Sequence, residues 1–288
     1  MEADHAGPTK DVFSGPSGGS AAAWISWETD GSEWSVRAAC IDASFQPTGG
    51  DFQVKQHTEV DQQYQAIATL WDGSGFVVAW SSYEQDGEEW GVYARLYGPD
   101  CQPKGPEFNV GTATVRHQLR PSVASFANGE FIVGYESYGV DGSGYAAAVQ
   151  RCSSAGAPIG SLYHVYQYTT SSQLHVSLAS NRAGDEFVIA WGSYSQPGGE
   201  STYGVVRRRF TQAGEPLTDE ELVNVFTEDN QFYPRVSYFP GDDGYLVTWA
   251  SWRQDGRRYG VYAQGCDGSD NRIGTEFRVN VFTEPTQP

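Results

Sequence analysis

The stretch GFVVAWSSYEQDGEEW (residues 75–90) decides the fold. It reads as an apolar run ending in Trp80, then Ser82 and Tyr83, an Asp86-Gly87 turn, and a second aromatic, Trp90. The same pattern recurs as AAAWISWETDGSEW (21–34), FIVGYESYGVDGSGY (131–145), FVIAWGSYSQPGGESTY (187–203) and YLVTWASWRQDGRRY (245–259). The serine before the second aromatic serves as a ruler: Ser26, Ser82, Ser137, Ser193 and Ser251 are spaced by 56, 55, 56 and 58 residues. Five such units fill almost all of the 288 residues. The sequence therefore predicts a single domain over 1–288, with repeats at about 11–62, 63–118, 119–173, 174–231 and 232–288.

Each unit holds four extended segments. In the second they are YQAIATL (64–70), residues 76–83, WGVYARLY (90–97) and residues 108–110, bounded by WDGSG, QDGEE and GPDCQPKGP. The segments are rich in β-branched and aromatic residues, and Asp-Gly pairs supply the positive backbone angles of tight hairpins. Helical apolar periodicity is absent, so the chain reads as all-β. Four antiparallel strands per repeat, five times over, predict a five-bladed β-propeller with one blade per repeat. Phe76, Val78 and Trp80 would face one neighbouring blade, and Val77 and Ala79 the other. Each blade would be contiguous in sequence, with no strand shared between the termini.

Composition narrows the partners. The net charge is −18 and only Lys10, Lys55 and Lys104 are lysines, which argues against nucleic acid and anionic membranes. No apolar run is long enough to insert into a bilayer. Residues 1–10 lack the basic start and apolar core of a signal peptide. Cys40, Cys101, Cys152 and Cys266 show no metal-ligand spacing and read mainly as thiols, with an incidental bridge left open.

Five features persist between repeats. The ruler serine is one. The aromatic after it (Trp27, Tyr83, Tyr138, Tyr194, Trp252) and the aromatic past the turn (Trp34, Trp90, Tyr145, Tyr203, Tyr259) never become aliphatic. The turn aspartate is Asp30, Asp86, Asp141 and Asp255, replaced once by Gln196-Pro197-Gly198-Gly199. In the loop leaving each unit, T-x3-Q places Gln62, Gln118, Gln173, Gln231 and Gln287 four residues after Thr58, Thr114, Thr169, Thr227 and Thr283. Blade connectivity brings these columns to one face. In one reading they brace the hairpin ends, aromatic pairs contributing about 0.5–1.5 kcal/mol beyond their burial. In the other they form up to five equivalent saccharide sites, rings stacking on sugars while Gln and Asp take hydroxyls.

The repeat resembles one found in tandem in large secreted bacterial proteins that carry haemolysin-type calcium-binding or adhesin modules. Its pattern is T-x3-Q-x2-P, an apolar strand, DG-x-FVV-x-W-x-S, QDG and G-x-YAQ; residues 245–264 (YLVTWASWRQDGRRYGVYAQ) carry it most fully. The resemblance implies an extracellular or cell-surface module and brings no catalytic residues.

A propeller glycosidase needs two carboxylates facing the axis. The first strands of units two to five, YQAIATL, RPSVASF (from Arg120), HVSLASN (from His175) and YPRVSYF (from Tyr233), contain no Asp or Glu, and only Asp11 is so placed in the first unit. No HExxH, G-x-S-x-G or phosphate loop is present. Arg207-Arg208-Arg209 reads as a local counter-charge. Calcium at the Asp-Gly turns falls short of the 6–8 oxygen ligands the ion takes, so no cofactor is expected, calcium being the one candidate. The expectation is thus a non-catalytic, multivalent, lectin-like carbohydrate-binding protein and not an enzyme. A protein-binding adhesion scaffold is the first alternative and a glycoside hydrolase the remote one.

Overall fold

The computed structural model describes residues 9–11, 20–27, 34–58, 60–85, 87, 89–111, 117–195, 202–241, 244–256 and 258–281, with the backbone alone for 9–11. They form five four-stranded antiparallel sheets and no helix. The first sheet is β1 (Thr9–Asp11), β2 (Ser20–Trp27), β3 (Trp34–Ile41) and β4 (Phe52–Gln53). The second is β5 (Gln62–Leu70), β6 (Gly75–Tyr83), β7 (Trp90–Tyr97) and β8 (Phe108–Asn109). The third is β9 (Gln118–Ser125), β10 (Phe131–Tyr138), β11 (Tyr145–Cys152) and β12 (Pro158–His164). The fourth is β13 (Gln173–Ser180), β14 (Glu186–Tyr194), β15 (Tyr203–Thr211) and β16 (Glu221–Leu222). The fifth is β17 (Gln231–Tyr238), β18 (Tyr245–Trp252), β19 (Tyr259–Cys266) and β20 (Arg272–Arg278). Each sheet runs in sequence order, so every described repeat closes its own sheet, as the spacing predicts.

The chain divides into two compact units, 1–138 with 148–163, and 139–147 with 164–288. In the first unit β6 serves two cores. Phe76, Val78 and Trp80 pack with Ala21, Ala23, Val36 and Val54. Val77 and Ala79 pack with Val123, Phe131, Val133 and Tyr135. The period-2 alternation of a strand buried on both faces dictates this split. In the second unit, Val188 and Ala190 meet Val247, Trp249 and Tyr262 in the same manner. Full burial of each such valine or phenylalanine contributes about 1.5–3 kcal/mol.

Polar ties repeat between neighbouring sheets of a unit. Glu107 Oε2 accepts the Gln56 N–H (2.6 Å) and the Glu107 N–H donates to Gln56 Oε1 (2.9 Å). Glu220 and Gln167 repeat this exchange at 2.7 and 2.8 Å in the other unit. Cys40 and Cys101 are disulfide-bonded, joining the first and second sheets, while Cys152 and Cys266 are buried free thiols. The thiol reading thus holds for two of the four cysteines. The sequence pattern missed the bridge because Cys101 sits in a loop whose approach to β3 is set only by sheet packing.

Candidate functional site

The T-x3-Q glutamines explain the local architecture. In all four sheets where the motif is described, the glutamine is the direct cross-strand partner of the ruler serine: Gln62↔Ser82, Gln118↔Ser137, Gln173↔Ser193 and Gln231↔Ser251. Every one of these eight side chains is buried. The Gln173 and Gln231 Oε1 atoms accept the indole N–H of Trp191 and Trp249, at 2.9 and 3.1 Å. Their amides donate back to the loop, as from Gln231 Nε2 to the Asp229 carbonyl at 2.9 Å. A buried indole needs an acceptor, and the loop needs a donor; one glutamine supplies both. Gln62, Gln118, Gln173 and Gln231, expected to contact a ligand, are buried in this structure. Gln287 lies outside the described residues, as do Asp30 and Asp86.

The remaining aspartates are engaged within their own surroundings. Asp141 Oδ2 accepts the Tyr166 hydroxyl (2.6 Å) and Oδ1 the Ser143 N–H (3.0 Å). Burial alone would raise the Asp141 carboxyl, but the Tyr166 and Ser143 donors outweigh it and hold it below its usual value. Asp255 pairs with Arg278 at 3.3 Å. Both are half-buried and engaged by neighbouring side chains. Among the described residues no group of three or more His, Cys, Asp or Glu side chains is placed to hold a metal ion.

The aromatic columns close the hairpin ends. Trp27↔Trp34, Tyr83↔Trp90, Tyr194↔Tyr203 and Trp252↔Tyr259 are directly opposed across strands, with ring centroids 4.8, 5.3, 5.0 and 4.6 Å apart. Trp27, Tyr83, Tyr138 and Tyr259 stay exposed, and Tyr145 is half-buried.

Two residues beyond each glutamine the first strand bulges. Register breaks between Gln63 and Ala66, Leu119 and Ser122, Leu174 and Ser177, and Phe232 and Arg235, so two residues oppose one. The single residue opposite is the core aromatic Trp80, Tyr135, Trp191 or Trp249. The second residue of each bulge is buried: Gln65, Pro121, Val176 and Pro234. The first is Tyr64, Arg120, His175 or Tyr233, each at positive φ (55, 53, 58 and 55°). The bulge turns these side chains away from the pleat. The x2-P that follows T-x3-Q in the third and fifth repeats is the mark of this bulge, since proline needs no ladder partner there.

In the first unit the bulges assemble a polar cluster. The Arg120 guanidinium lies 4.6 Å from the Tyr64 ring centroid. Its Nη1 donates to Glu136 Oε2 at 3.0 Å, and the Glu136 side chain is wholly buried while Arg120 is 36% exposed. Glu136 stands where the other repeats have Ile25, Ser81, Gly192 and Ala250. A search of the first strands for carboxylates missed it because it sits on the second strand. Its departure from that column was the available signal. At the same end of the sheet, the Tyr83 N–H donates to the Asp61 carbonyl, and Asp61 Oδ1 accepts the Trp34 N–H at 3.0 Å. His117 Nε2 is 2.7 Å from Glu89 Oε2, and Glu89 is 54% exposed. In the second unit the His175 and Tyr233 rings lie 4.3 Å apart, with Phe232 edge-on to His175.

No protein-family model and no curated protein matches this sequence. Solved structures do. An α-L-arabinofuranosidase from Fusarium graminearum, a mutant in complex with an iminosugar inhibitor, is 13% identical, with a TM-score of 0.60 over 91% of this chain and 77% of its own. The Bacillus megaterium levansucrase matches with TM-score 0.53 and 11% identity, over 98% of this chain and 83% of its own. Hydrazine synthase from Kuenenia stuttgartiensis matches with TM-score 0.54 and 13% identity, over 98% and 69%. At these identities the likeness establishes a shared fold. Two expectations are nonetheless overturned by it: the non-catalytic lectin-like reading and the absence of enzymatic activity. The arabinofuranosidase, the levansucrase and the synthase are enzymes, and of the repeated columns the four described glutamines are sealed in the fold while the aromatics stay exposed or half-buried.

Proposed function

We propose that the chain is a glycoside hydrolase built on a five-bladed β-propeller, and that the end of the first unit carrying Tyr64 and Arg120 contacts its sugar. One observation carries the reading: a wholly buried Glu136 holds Arg120 at a bulge beside Tyr64. Taking a carboxylate out of water is costly, and an apolar side chain would fill its place more cheaply. The pair, with the Tyr64 hydroxyl accepting from Arg120 Nη2 at 3.5 Å, fixes the guanidinium beside Tyr64, where together they meet a sugar. The likeness to the arabinofuranosidase and the levansucrase supports the same class.

Glycoside hydrolysis uses one carboxyl to protonate the leaving oxygen and a second to attack or to activate water. Of the carboxylates at this end, Glu136 is sealed behind Arg120. Glu89, exposed and backed by His117, takes the proton-transfer role. Asp61, oriented through Oδ1 by the Trp34 N–H, takes the anionic role. The Cys40–Cys101 disulfide supports a secreted protein, since such bonds persist in oxidising compartments.

Release of reducing sugar from arabinan and levan by the purified chain tests the proposal. Wild-type protein is expected to release sugar, and Glu89→Gln to lose about 10²–10⁴-fold in kcat. A folded wild-type protein that cleaves no glycan would remove the reading.

A further inference from the structure

Non-glycine residues at positive φ gather in repeat columns, and the columns differ in what they tolerate. At the turn leaving β6, β10, β14 and β18 the column is Glu84, Gly139, Ser195 and Arg253. In the loop after the third strand it is Phe45, Cys101, Gly156, Gly214 and Asp270. Both admit glycine, the residue that takes this conformation without strain. The bulge column does not: it is Tyr64, Arg120, His175 and Tyr233. A side chain held in the left-handed region costs about 1–3 kcal/mol, and residues so strained cluster at active sites and ligand clamps. The neighbouring columns stay nearly fixed (the glutamine, the serine, the large aromatic opposite), whereas this one changes chemistry from repeat to repeat. Constant backbone with changing side chain is the arrangement expected of a contact surface.

We infer that the bulge residues contact the substrate of the proposed hydrolase, Tyr64 with Arg120 in the first unit and His175 with Tyr233 in the second, each pair by itself, and that the glycan they contact is uncharged. The inference rests on the hydrolase reading. Tyr64 beside Arg120 in the first unit, and Tyr233 beside His175 in the second, each join an aromatic face to a nitrogen donor. The face suits the C–H side of a sugar ring and the donor suits its hydroxyls. Tyr233 is 55% exposed, so packing in the fold does not account for it. Two features oppose a uronate substrate. The net charge of −18 repels polyanions. The Arg120 charge is matched by Glu136.

Glycine substitution separates contact from scaffold, because it relieves the backbone while deleting the side chain. Tyr64→Gly, His175→Gly and Tyr233→Gly are compared with wild type for melting temperature and for kcat/KM on arabinan, levan and polygalacturonate. The expected result is activity on a neutral polymer only, with kcat/KM reduced at least 10-fold in Tyr64→Gly and Tyr233→Gly at an unchanged or raised Tm. Glycine variants as active as wild type would overturn the contact role and leave the hydrolase reading standing. A fall in Tm matching the fall in activity would make the column structural and overturn it equally. Cleavage of polygalacturonate alone would overturn the uncharged-substrate assignment. A wild type inert on every polymer would remove the hydrolase reading and this inference with it.

Discussion

Two buried charge assemblies, one in each unit, show opposite designs. In the second unit Arg207 pairs with Glu221 at 2.7 Å and Asp270 Oδ1 at 2.6 Å, while Arg209 reaches Asp270 Oδ2 at 2.9 Å and also Glu186. The Tyr245 hydroxyl donates to the same Asp270. Arg207 is 3% and Asp270 9% exposed, so the centre of this assembly is closed and each charge meets an opposite charge, while Glu221 at its rim faces water. In the first unit a single carboxylate is sealed and its arginine opens outward. The closed assembly reads as the local counter-charge that the Arg207-Arg208-Arg209 run suggests, holding the fourth sheet to the fifth. The open one holds a partly exposed guanidinium over Tyr64 against a wholly buried carboxylate.

If that contrast is right, substitutions should separate stability from activity. The largest expected effect is Asp270→Ala, which removes the carboxylate shared by two buried arginines, leaving only Glu221 and Glu186 at the rim, and should cost about 3–5 kcal/mol in denaturant unfolding while sparing kcat at temperatures where the protein remains folded. Arg120→Met comes next, at about 3 kcal/mol, because the buried Glu136 loses the arginine that balances its charge. The double variant Arg120→Met/Glu136→Leu should recover most of that stability yet stay inactive. Recovery of activity along with stability would erase the distinction between the two assemblies. Trp249→Phe sharpens it from the uncharged side. Removing the indole N–H leaves Gln231 Oε1 without its donor and should cost about 1–3 kcal/mol, with activity unchanged.

The smallest effect belongs to Asp141, neither sealed nor open. Its folded carboxyl lies below the unfolded value of 3.8. Its contribution is therefore complete above 3.8 and is lost as pH falls through the folded value. Wild type should lose Tm more steeply than Asp141→Asn below pH 3.8. Parallel Tm–pH curves would show that the Tyr166 and Ser143 bonds carry nothing.

Much of this was legible in the residues. The strands of the second unit fall within two residues of their predicted ends, because Asp-Gly turns and period-2 runs mark them locally. The alternation of Val77 and Ala79 against Phe76, Val78 and Trp80 also follows from strand geometry alone. The persistence of Gln62, Gln118, Gln173 and Gln231 was visible too, but its meaning was not. A polar residue kept in every repeat reads equally as a ligand contact or as a buried partner, and only the strand opposite tells which.

The amino-acid sequence by itself determined the five repeats, their all-β character and the contiguous strand order, since these depend on turn chemistry and alternation within about ten residues. The tertiary structure decided the rest. Both faces of each sheet are apolar, so the pattern does not say which column meets a neighbour. The burial of the glutamines, the Cys40–Cys101 bridge and the Arg120–Glu136 pair all arise from contacts between segments far apart in the chain. The bulge that turns Tyr64, Arg120, His175 and Tyr233 outward is a shift of register, and register exists only when two strands are paired.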